Sequence, residues 1–521
     1  MSKEISNMGV LAPEATPARG IVGAATILAL GNISSRILGL GREIVISYFF
    51  GATGYVSVFR VAFTLVLTLY DFLVGGLMTA ALVPVFSEHA ERKEDYWQLV
   101  SVVLSVLAVV LVLAIVVLEL LAEPMFTLLG AGYPDELRAA GVQMIRLILP
   151  AVFFLGAAGV LSGILLSLKR FTLPSLTTAA FNLGIIVCSI ALAPVIGITS
   201  AVVGVVLGAA GQVILQYIGL RHAPLRFSLN FSHPALKRIF RLYLPVLGGL
   251  SVALVGVTID RNLASRTGEQ SLAWMQAATY LVQLPLGLVA TAISFAILPN
   301  LSRAIAPNEF RNTLVFGLKF VLLLILPAVI ALFILAAPIV TLLYEHGAFT
   351  AGDTAQTARA LQLYLLGTTF AAIDQPLVFA FYARKNTLLP NLVAVVGLGI
   401  YLVVALTLIQ PLGYLGLVLA NSAQLTGHAL VMLWLTQTHL HGLGGERLGR
   451  TAVKLLLSAA AMGAVMFLLP TWNLSAGMIA TSVRVIVPAL VGAGVYIVAL
   501  KVLRVREAGQ LGEVVKSRLR R

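Results

Sequence analysis

Charged residues and cysteines are both scarce in this 521-residue chain. Only 11% of the residues are Asp, Glu, Lys or Arg, whereas soluble globular proteins carry about 25%. The single cysteine, Cys188, lies in an apolar run and excludes both a disulfide framework and a cysteine-ligated metal site. The seven histidines are scattered, and no spacing of His, Cys and carboxylates indicates a metal site. These absences exclude a small secreted fold and predict no bound metal.

Motifs for nucleotide chemistry are also lacking. No Gly-rich loop followed by Lys-Ser or Lys-Thr occurs, so the sequence does not predict an ATPase. No arrangement of Ser, His, Cys and carboxylates indicates catalysis. We therefore expect a protein that is not an enzyme and has no cofactor. Any work it performs would draw on a coupling ion, the membrane potential or consumption of its product downstream.

Long apolar runs are abundant, because 59% of the residues are hydrophobic. A membrane-spanning helix needs about 20 predominantly apolar residues. The sequence therefore predicts an all-α polytopic membrane protein with about fourteen transmembrane helices. The predicted spans are 21–49, 55–86, 98–121, 138–167, 173–194, 198–220, 239–263, 271–300, 313–343, 355–382, 388–409, 413–437, 451–469 and 476–502.

The basic residues follow a topological pattern. The formal net charge is +14, and most of the Lys and Arg residues fall in the even-numbered loops, as at Lys169-Arg170 and Arg384-Lys385. Cationic loops stay on the cytoplasmic side of a membrane. We therefore expect both termini in the cytoplasm. The basic residues would contact lipid headgroups rather than nucleic acid.

An internal repeat divides the chain into two halves. The segment from Thr79 to Ser87 recurs from Ser294 to Ser302, and two later segments recur at nearly the same distance. The matching prolines are Pro84 and Pro299, Pro124 and Pro338, and Pro174 and Pro390, offset by 215, 214 and 216 residues. Six predicted spans fill each repeat, and an even number makes the halves parallel copies.

This repeat predicts two six-helix lobes with two extra C-terminal helices. Such transporters bind substrate between their lobes and alternate access by moving the lobes. The predicted parts are a cytoplasmic N-terminal tail at 1–20, an N-lobe at 21–222, a linker at 223–238, a C-lobe at 239–438, helices 13 and 14 at 451–502, and a basic tail at 503–521.

The first span carries Arg36, Arg42 and Glu43 at membrane depth. A charge near the bilayer centre costs about 2.5–3.5 kcal/mol on insertion scales, so such residues normally face a protein interior or a water-filled cavity. Arg36 and Glu43 share one helix face, and Arg42 lies about 120° from Arg36. They form either a cationic cavity wall or an ion pair that locks the first helix to its neighbours.

Four more intramembrane charges are candidates. Arg60 and Asp71 share one face of the second span, about 16 Å apart along its axis, which is too far to pair. We expect Asp71 to pair with Arg36 or Arg42, or to carry a proton. Arg261 in the seventh span is either interfacial or part of a second-lobe cationic rim. Asp374, next to a helix-interrupting proline, is a second candidate coupling carboxylate.

Three motifs resemble those of one family. They are Ser35–Glu43 (SRILGLGRE), Gln283–Gly287 (QLPLG) and Glu345–Thr350 (EHGAFT). In this combination the chain resembles the MurJ/MviN family, the lipid II flippases of the multidrug/oligosaccharidyl-lipid/polysaccharide exporter superfamily. The resemblance covers roughly residues 20–440.

The resemblance implies a V-shaped cavity between two lobes in a bacterial plasma membrane. It implies transfer of an undecaprenyl-diphosphate-linked peptidoglycan precursor (lipid II) to the outer leaflet, and thereby a role in cell-wall biogenesis and cell shape. Arginines of helix 1 would hold the diphosphate, for which bidentate guanidinium groups are suited. The expected substrate-binding residues are Arg36, Arg42, Glu43, Arg60, Asp71 and Arg261, with Asp71 and Asp374 as coupling carboxylates.

Departures from the family pattern leave other functions open. Tyr70-Asp71, Gly75-Gly76, Ser57 and Thr279-Tyr280 stand where typical members carry charged residues. The alternatives are a flippase for another undecaprenyl-diphosphate-linked glycan, a cation-coupled drug exporter, or a membrane scaffold that no longer transports. The expected partners are a lipid-linked glycan and membrane lipids, and we expect a monomer.

Overall fold

The computed structural model of the protein describes residues 17–90, 93–230, 233–440, 443, 448–469 and 477–509. Every regular element within these ranges is helical, as the sequence predicts. The helices are α1 (Pro17–Phe50), α2 (Gly54–Tyr70), α3 (Val83–His89), α4 (Lys93–Leu120), α5 (Ala122–Gly130), α6 (Asp135–Ile148), α7 (Pro150–Ser167), α8 (Thr172–Ile196), α9 (Thr199–Ile218), α10 (Pro234–Ser265), α11 (Ser271–Pro285), α12 (Ala292–Arg303), α13 (Pro307–Ile334), α14 (Ala336–Tyr344), α15 (Ala351–Ala383), α16 (Leu388–Leu412), α17 (Tyr414–His439), α18 (Leu448–Leu468) and α19 (Met478–Val502).

The helices have the lengths that a bilayer requires. Among the described residues, thirteen helical stretches are long and apolar enough to cross a membrane. The α1 helix is also long enough, at 34 residues, but it carries Arg36, Arg42 and Glu43. The all-helical membrane class is therefore confirmed. The ninth predicted span, 313–343, is wrong at its end, because α13 ends at Ile334 and α14 is a separate short helix.

The two predicted lobes are present. The repeat assigns α1 to α9 to the first lobe and α10 to α17 to the second, while α18 and α19 pack on α13 and α14. The α10 helix packs mainly on α5 and on the π-helical segment Met78–Leu82 of the first lobe, and less on α11, α16 and α17. A Cβ on Gly184 of α8 would lie 2.5 Å from the Cα of Gly208 on α9, so glycine permits this close helix contact. The exact domain bounds stay a prediction, and the predicted tails at 1–20 and 503–521 fall largely outside the described residues.

The backbone repeats with the sequence. Both α8 and α16 end at a glycine with positive φ, Gly197 (56°) and Gly413 (57°). Lys169 and Lys385 also share positive φ values, 60° and 58°, in equivalent loops. A π-helical segment follows α2 at Asp71–Gly75 and α11 at Leu286–Thr291, again at equivalent positions. A second π-helical segment, Met78–Leu82, occurs only after α2 in the described chain.

Candidate functional site

Three cavities that share lining residues lie between and within the lobes. The N-lobe cavity has a volume of about 550 Å³, the C-lobe cavity about 620 Å³, and a smaller cavity of about 150 Å³ lies between them. Gln283 of α11 lines both large cavities. The polar side chains that line them include Asn32, Ser35, Arg36, Arg42, Asn182 and Gln212 in the N-lobe, Asp260, Arg261, Gln276, Asn391, Asn421 and Gln424 in the C-lobe, and Arg60, Asp71, Arg261 and Gln276 in the small cavity.

Glu43 is the centre of a buried charge cluster. Its side chain is fully buried, and Arg42 and Arg60 are only 5% and 3% exposed. Arg42 lies 3.0 Å from the Glu43 carboxylate, and Arg60 donates to both carboxylate oxygens. Two guanidinium groups share one carboxylate, so the cluster keeps one net positive charge. Such a cluster is held by mutual pairing, since a lone buried charge would be strongly destabilising.

Arg42 has further partners that hold it in place. Its Nη1 donates to the Asn182 side chain of α8 at 3.0 Å, and its Nη2 donates to the Tyr280 hydroxyl of α11. Its guanidinium also lies 5.0 Å from the ring centre of Phe63. With these contacts, Arg42 joins both lobes and has little hydrogen-bonding capacity left for a ligand.

Arg36 differs from Arg42 in having free donors. Within the described part of the chain, its one hydrogen bond runs from Nη1 to the carbonyl oxygen of Gln283, at 3.0 Å, and its Nε has no partner. The side chain is half-buried and lines the N-lobe cavity. It fits against Gly287, where an added Cβ would lie 1.8 Å from the guanidinium carbon. Gly287 therefore makes the space that lets this arginine reach across to the second lobe.

Asp71 does not form the ion pair expected with Arg36 or Arg42. Arg42 is committed to Glu43, and no cation of the described chain lies within ion-pair distance of Asp71. The π-helical segment that begins at Asp71 shifts the helix register, and the carboxylate folds back toward Gly75, where an added Cβ would lie 2.7 Å from Oδ1. Asp71 is exposed to the small cavity.

Arg261 and Asp260 belong to the C-lobe cavity. Arg261 lies 3.4 Å from the Asp260 carboxylate and donates to Gln276 at 3.4 Å. Asp260 accepts a hydrogen bond of 2.6 Å from Tyr401 of α16. The side chains of Arg261 and Asp260 are 16% and 27% exposed, respectively. Arg261 also lines the small cavity, so it faces both lobes.

Asp374 of α15 has a partner that the sequence did not reveal. His428 of α17 lies 2.9 Å from Asp374, through its Nδ1. The neighbouring Gln375 accepts a hydrogen bond of 2.9 Å from Thr291 in the π-helical segment after α11. The sequence singled out Asp374 from its neighbouring proline, but nothing in it indicated which residue on another helix would meet it.

One end of the cavities is sealed by contacts between the lobes. The backbone N–H of Ala348 donates to the carbonyl of Tyr48 at 2.8 Å. Any side chain at position 347, where Gly347 has a φ of 63°, would clash with the same carbonyl. Nearby, Gly132 donates to the Ser265 hydroxyl at 3.0 Å. Burial in this seal raises the pKa of Tyr133, which follows α5, above its ordinary value. The motif around Gly347 is thus part of a lobe-to-lobe contact.

The opposite end also has contacts between lobes, on the side of α3 and α10. Arg238 lies 2.6 Å from Glu88. The Tyr243 hydroxyl donates to the carbonyl of Phe72 in the π-helical segment after α2. The sequence missed Tyr243, Tyr280, Asn182 and His428. Polar residues inside apolar runs were the available signal, although it names no partner.

Two lobes of parallel topology around a cationic intramembrane cavity define a transporter-like membrane protein. The same fold occurs in a solved structure described as lipid II flippase MurJ in an inward closed conformation. The TM-score is 0.80 at 23% identity, covering 92% of this chain and 98% of that one. A multidrug resistance MATE family transporter is also similar, with a TM-score of 0.66 at 16% identity over 79% of this chain and 98% of that one.

Sequence comparison identifies the family. The family model described as lipid II flippase MurJ matches residues 46–487. The chain is 29% identical to the lipid II flippase MurJ of Burkholderia cenocepacia over 75% of this chain and 78% of the relative. It is 27% identical to a probable lipid II flippase MurJ of Thermotoga maritima over 93% and 97%. This chain belongs to the MurJ family and is a multi-pass membrane protein.

Proposed function

We propose that this protein flips lipid II, an undecaprenyl-diphosphate-linked peptidoglycan precursor, from the cytoplasmic to the outer leaflet by alternating access. Family membership supports the substrate class. The positive-inside pattern supports an orientation in which both termini are cytoplasmic and the sealed end faces outward. With the outer end sealed, substrate would enter from the cytoplasmic side.

The single observation that carries this proposal is the state of Arg36. It is an intramembrane guanidinium with free donors on the wall of a cavity. A diphosphate offers several anionic oxygens, which guanidinium groups bind through paired hydrogen bonds. Arg261 lines the adjoining small cavity. Once its side chain breaks the hydrogen bond to Gln276, it can contact the same anion.

The other charged residues take supporting roles in this proposal. Arg42 and Arg60 hold Glu43, which lines none of the described cavities. Arg42 lines the N-lobe cavity and Arg60 the small cavity. Because Glu43 holds most of their donors, their cluster contributes one positive charge to the cavity walls rather than direct contacts. This interpretation replaces the expectation that Arg42, Arg60 and Glu43 touch the substrate, and it leaves Arg36 as the principal ligand.

The C-lobe cavity suits the sugar hydroxyls and amide groups of the substrate. Gln276, Asn391, Asn421 and Gln424 provide amide donors and acceptors. Side-chain amides can pair with sugar hydroxyls and peptide groups because each amide both donates and accepts. The diphosphate would therefore lie near the N-lobe and the glycan-peptide near the C-lobe.

Binding of lipid II to the purified full-length protein tests the proposal by native mass spectrometry. Arg36→Ala should weaken binding about tenfold or more, since hydrogen bonds to charged groups contribute about 1.5–3 kcal/mol. Arg303→Ala, which removes an exposed arginine at the end of α12, is the control. Arg42→Ala should lose binding together with thermal stability, whereas Arg36→Ala should keep its stability.

Other undecaprenyl-diphosphate sugars and a cationic drug are offered in parallel. Preference for another glycan would move the protein to a different lipid-linked pathway. Drug binding that ignores Arg36 would favour an exporter. Binding of no ligand would favour a scaffold. Any of these three results contradicts the proposal.

A further inference from the structure

The pair formed by His428 and Asp374 is unused by the binding surface described above. Both side chains lie deep within the membrane region, because Asp374 is nine residues, or about 14 Å, from the end of α15. The side chains of His428 and Asp374 are 16% and 18% exposed, respectively. Ionisable residues at such depth are costly and are by default candidates for function.

The chemistry of this pair differs from that of the Glu43 cluster. Arginine stays protonated under all physiological conditions, so Arg42 and Arg60 keep a constant charge. Histidine changes its charge near neutral pH. The pair with Asp374 can therefore exist as a neutral imidazole beside a carboxylate, or as an imidazolium–carboxylate ion pair with one more proton.

A polar helix face connects the pair to the C-lobe cavity. Asn421, Gln424 and His428 are spaced by three and four residues, so they follow one another along one face of α17. Asn421 and Gln424 line the cavity. His428 lies one turn further along, packed on Gly397 of α16. Polar side chains thus extend along α17 from the cavity to the pair.

The pair is also linked to the helix that Arg36 touches. Gln375, next to Asp374, binds Thr291 at the end of the π-helical segment Leu286–Thr291. That segment directly follows α11, whose Gln283 carbonyl accepts the hydrogen bond from Arg36. Pro376 lacks the N–H that would bind the carbonyl of Ala372, which weakens α15 at this point. Charge at Asp374 therefore acts on a helix with reduced hydrogen bonding.

No arginine or lysine of the described chain lies within ion-pair distance of Asp374. On α15, the titratable side chain of Tyr382 interacts electrostatically with the Asp374 carboxylate. The α16 helix contributes Gly397, and its Tyr401 is bonded to Asp260. Thr291 is neutral. Two basic residues of α15 and α13 make other contacts: Arg384 lies 4.3 Å from the ring centre of Phe310, and Lys319 lies 3.0 Å from Glu507.

We propose that His428 and Asp374 form a proton-binding site that couples proton uptake to binding of the lipid-linked diphosphate at Arg36. This inference rests on the proposed function and names its coupling ion as H⁺. Uptake of one proton adds one positive charge to the C-lobe, so it favours an anionic ligand. By thermodynamic reciprocity, ligand binding must then favour proton uptake by the same factor.

Spin-label distances test the site without any substrate. Labels are placed at Lys169→Cys and Lys385→Cys in a Cys188→Ser background, in full-length protein in lipid nanodiscs. These exposed lysines are repeat-equivalent loop positions, one in each lobe, at the end opposite the seal. The distance distribution should shift between pH 5 and pH 8. His428→Gln and Asp374→Asn should each abolish the shift, and His439→Gln, an exposed histidine of the same helix, should retain it.

Lipid II binding gives the second measurement. Affinity should be about fivefold or more higher at pH 5.5 than at pH 7.5, within the usual range of coupling between sites, and His428→Gln should make it independent of pH. If lipid II fails to bind but the distance shift depends on His428, the proposed function falls and the proton site stands. If Arg36-dependent binding is present while both variants keep the wild-type pH response, or if no response exists, the proton site is overturned.

Discussion

The two lobes are copies of one repeat, but their first helices, α1 and α10, pack differently. In the N-lobe, α1 packs closely along α8, where an added Cβ on Gly31 would lie 2.4 Å from the carbonyl of Ser175. In the C-lobe, α10 stands away from α16, and Gly248 and Gly249 have no atom within 4 Å of an added Cβ. The Tyr401–Asp260 hydrogen bond is a tether between these two helices.

The lobes also distribute charge differently. The N-lobe buries an ion-paired cluster of Arg42, Glu43 and Arg60, while the C-lobe keeps its Asp260–Arg261 pair partly exposed among neutral amides. Several backbone landmarks of the repeat recur in both lobes, as the turns at Gly197 and Gly413 indicate. The comparison teaches that the repeat preserves backbone geometry, whereas polar side chains and packing have specialised.

The largest expected effect tests the difference in charge burial. Glu43→Gln should lower the free energy of unfolding by about 3–5 kcal/mol, because two buried guanidinium groups lose their carboxylate. Asp260→Asn should cost only about 1 kcal/mol, since that pair is partly solvated. Denaturant unfolding in detergent measures both. Equal effects would break the comparison between a dry N-lobe cluster and a wet C-lobe pair.

An intermediate effect tests whether Gly287 of the second lobe positions Arg36 of the first. Gly287→Ala should push the Arg36 guanidinium away from α11 and weaken lipid-diphosphate binding about tenfold, as loss of a charged contact would. Gly248→Ala adds the same methyl group into open space on α10 and should leave binding unchanged. It should raise stability slightly, by about 0.5–1 kcal/mol. Similar binding by the two variants would show that Gly287 does not position Arg36.

The smallest effect concerns the tether on α10. Amide hydrogen exchange should be faster in α10 than in the described part of α1, because fewer neighbours cover α10. Tyr401→Phe should speed exchange in α10 further, corresponding to about 0.5–1.5 kcal/mol for one hydrogen bond, and leave α1 unaffected. Uniform exchange in the two helices would remove the packing difference between the lobes.

Much of the architecture was predictable because it depends on features local in sequence. Apolar runs of bilayer length predicted the spans, and the offset between Pro84 and Pro299 predicted the two lobes. The resemblance singled out Arg36 beside Gly39, and the structure brings Arg36 to Gly287 of another matching motif. Its role as a diphosphate ligand stays a prediction.

The sequence by itself determined the membrane class, the repeat and the presence of charges at membrane depth. Only the tertiary structure decided which charges meet: Glu43 takes Arg42 and Arg60, Asp71 stays in a small cavity, and Asp374 finds His428. The physical reason is that pairing across helices depends on helix rotation and depth. A π-helical segment such as Asp71–Gly75 changes the rotation by a residue, which the ideal helical period used for prediction does not include.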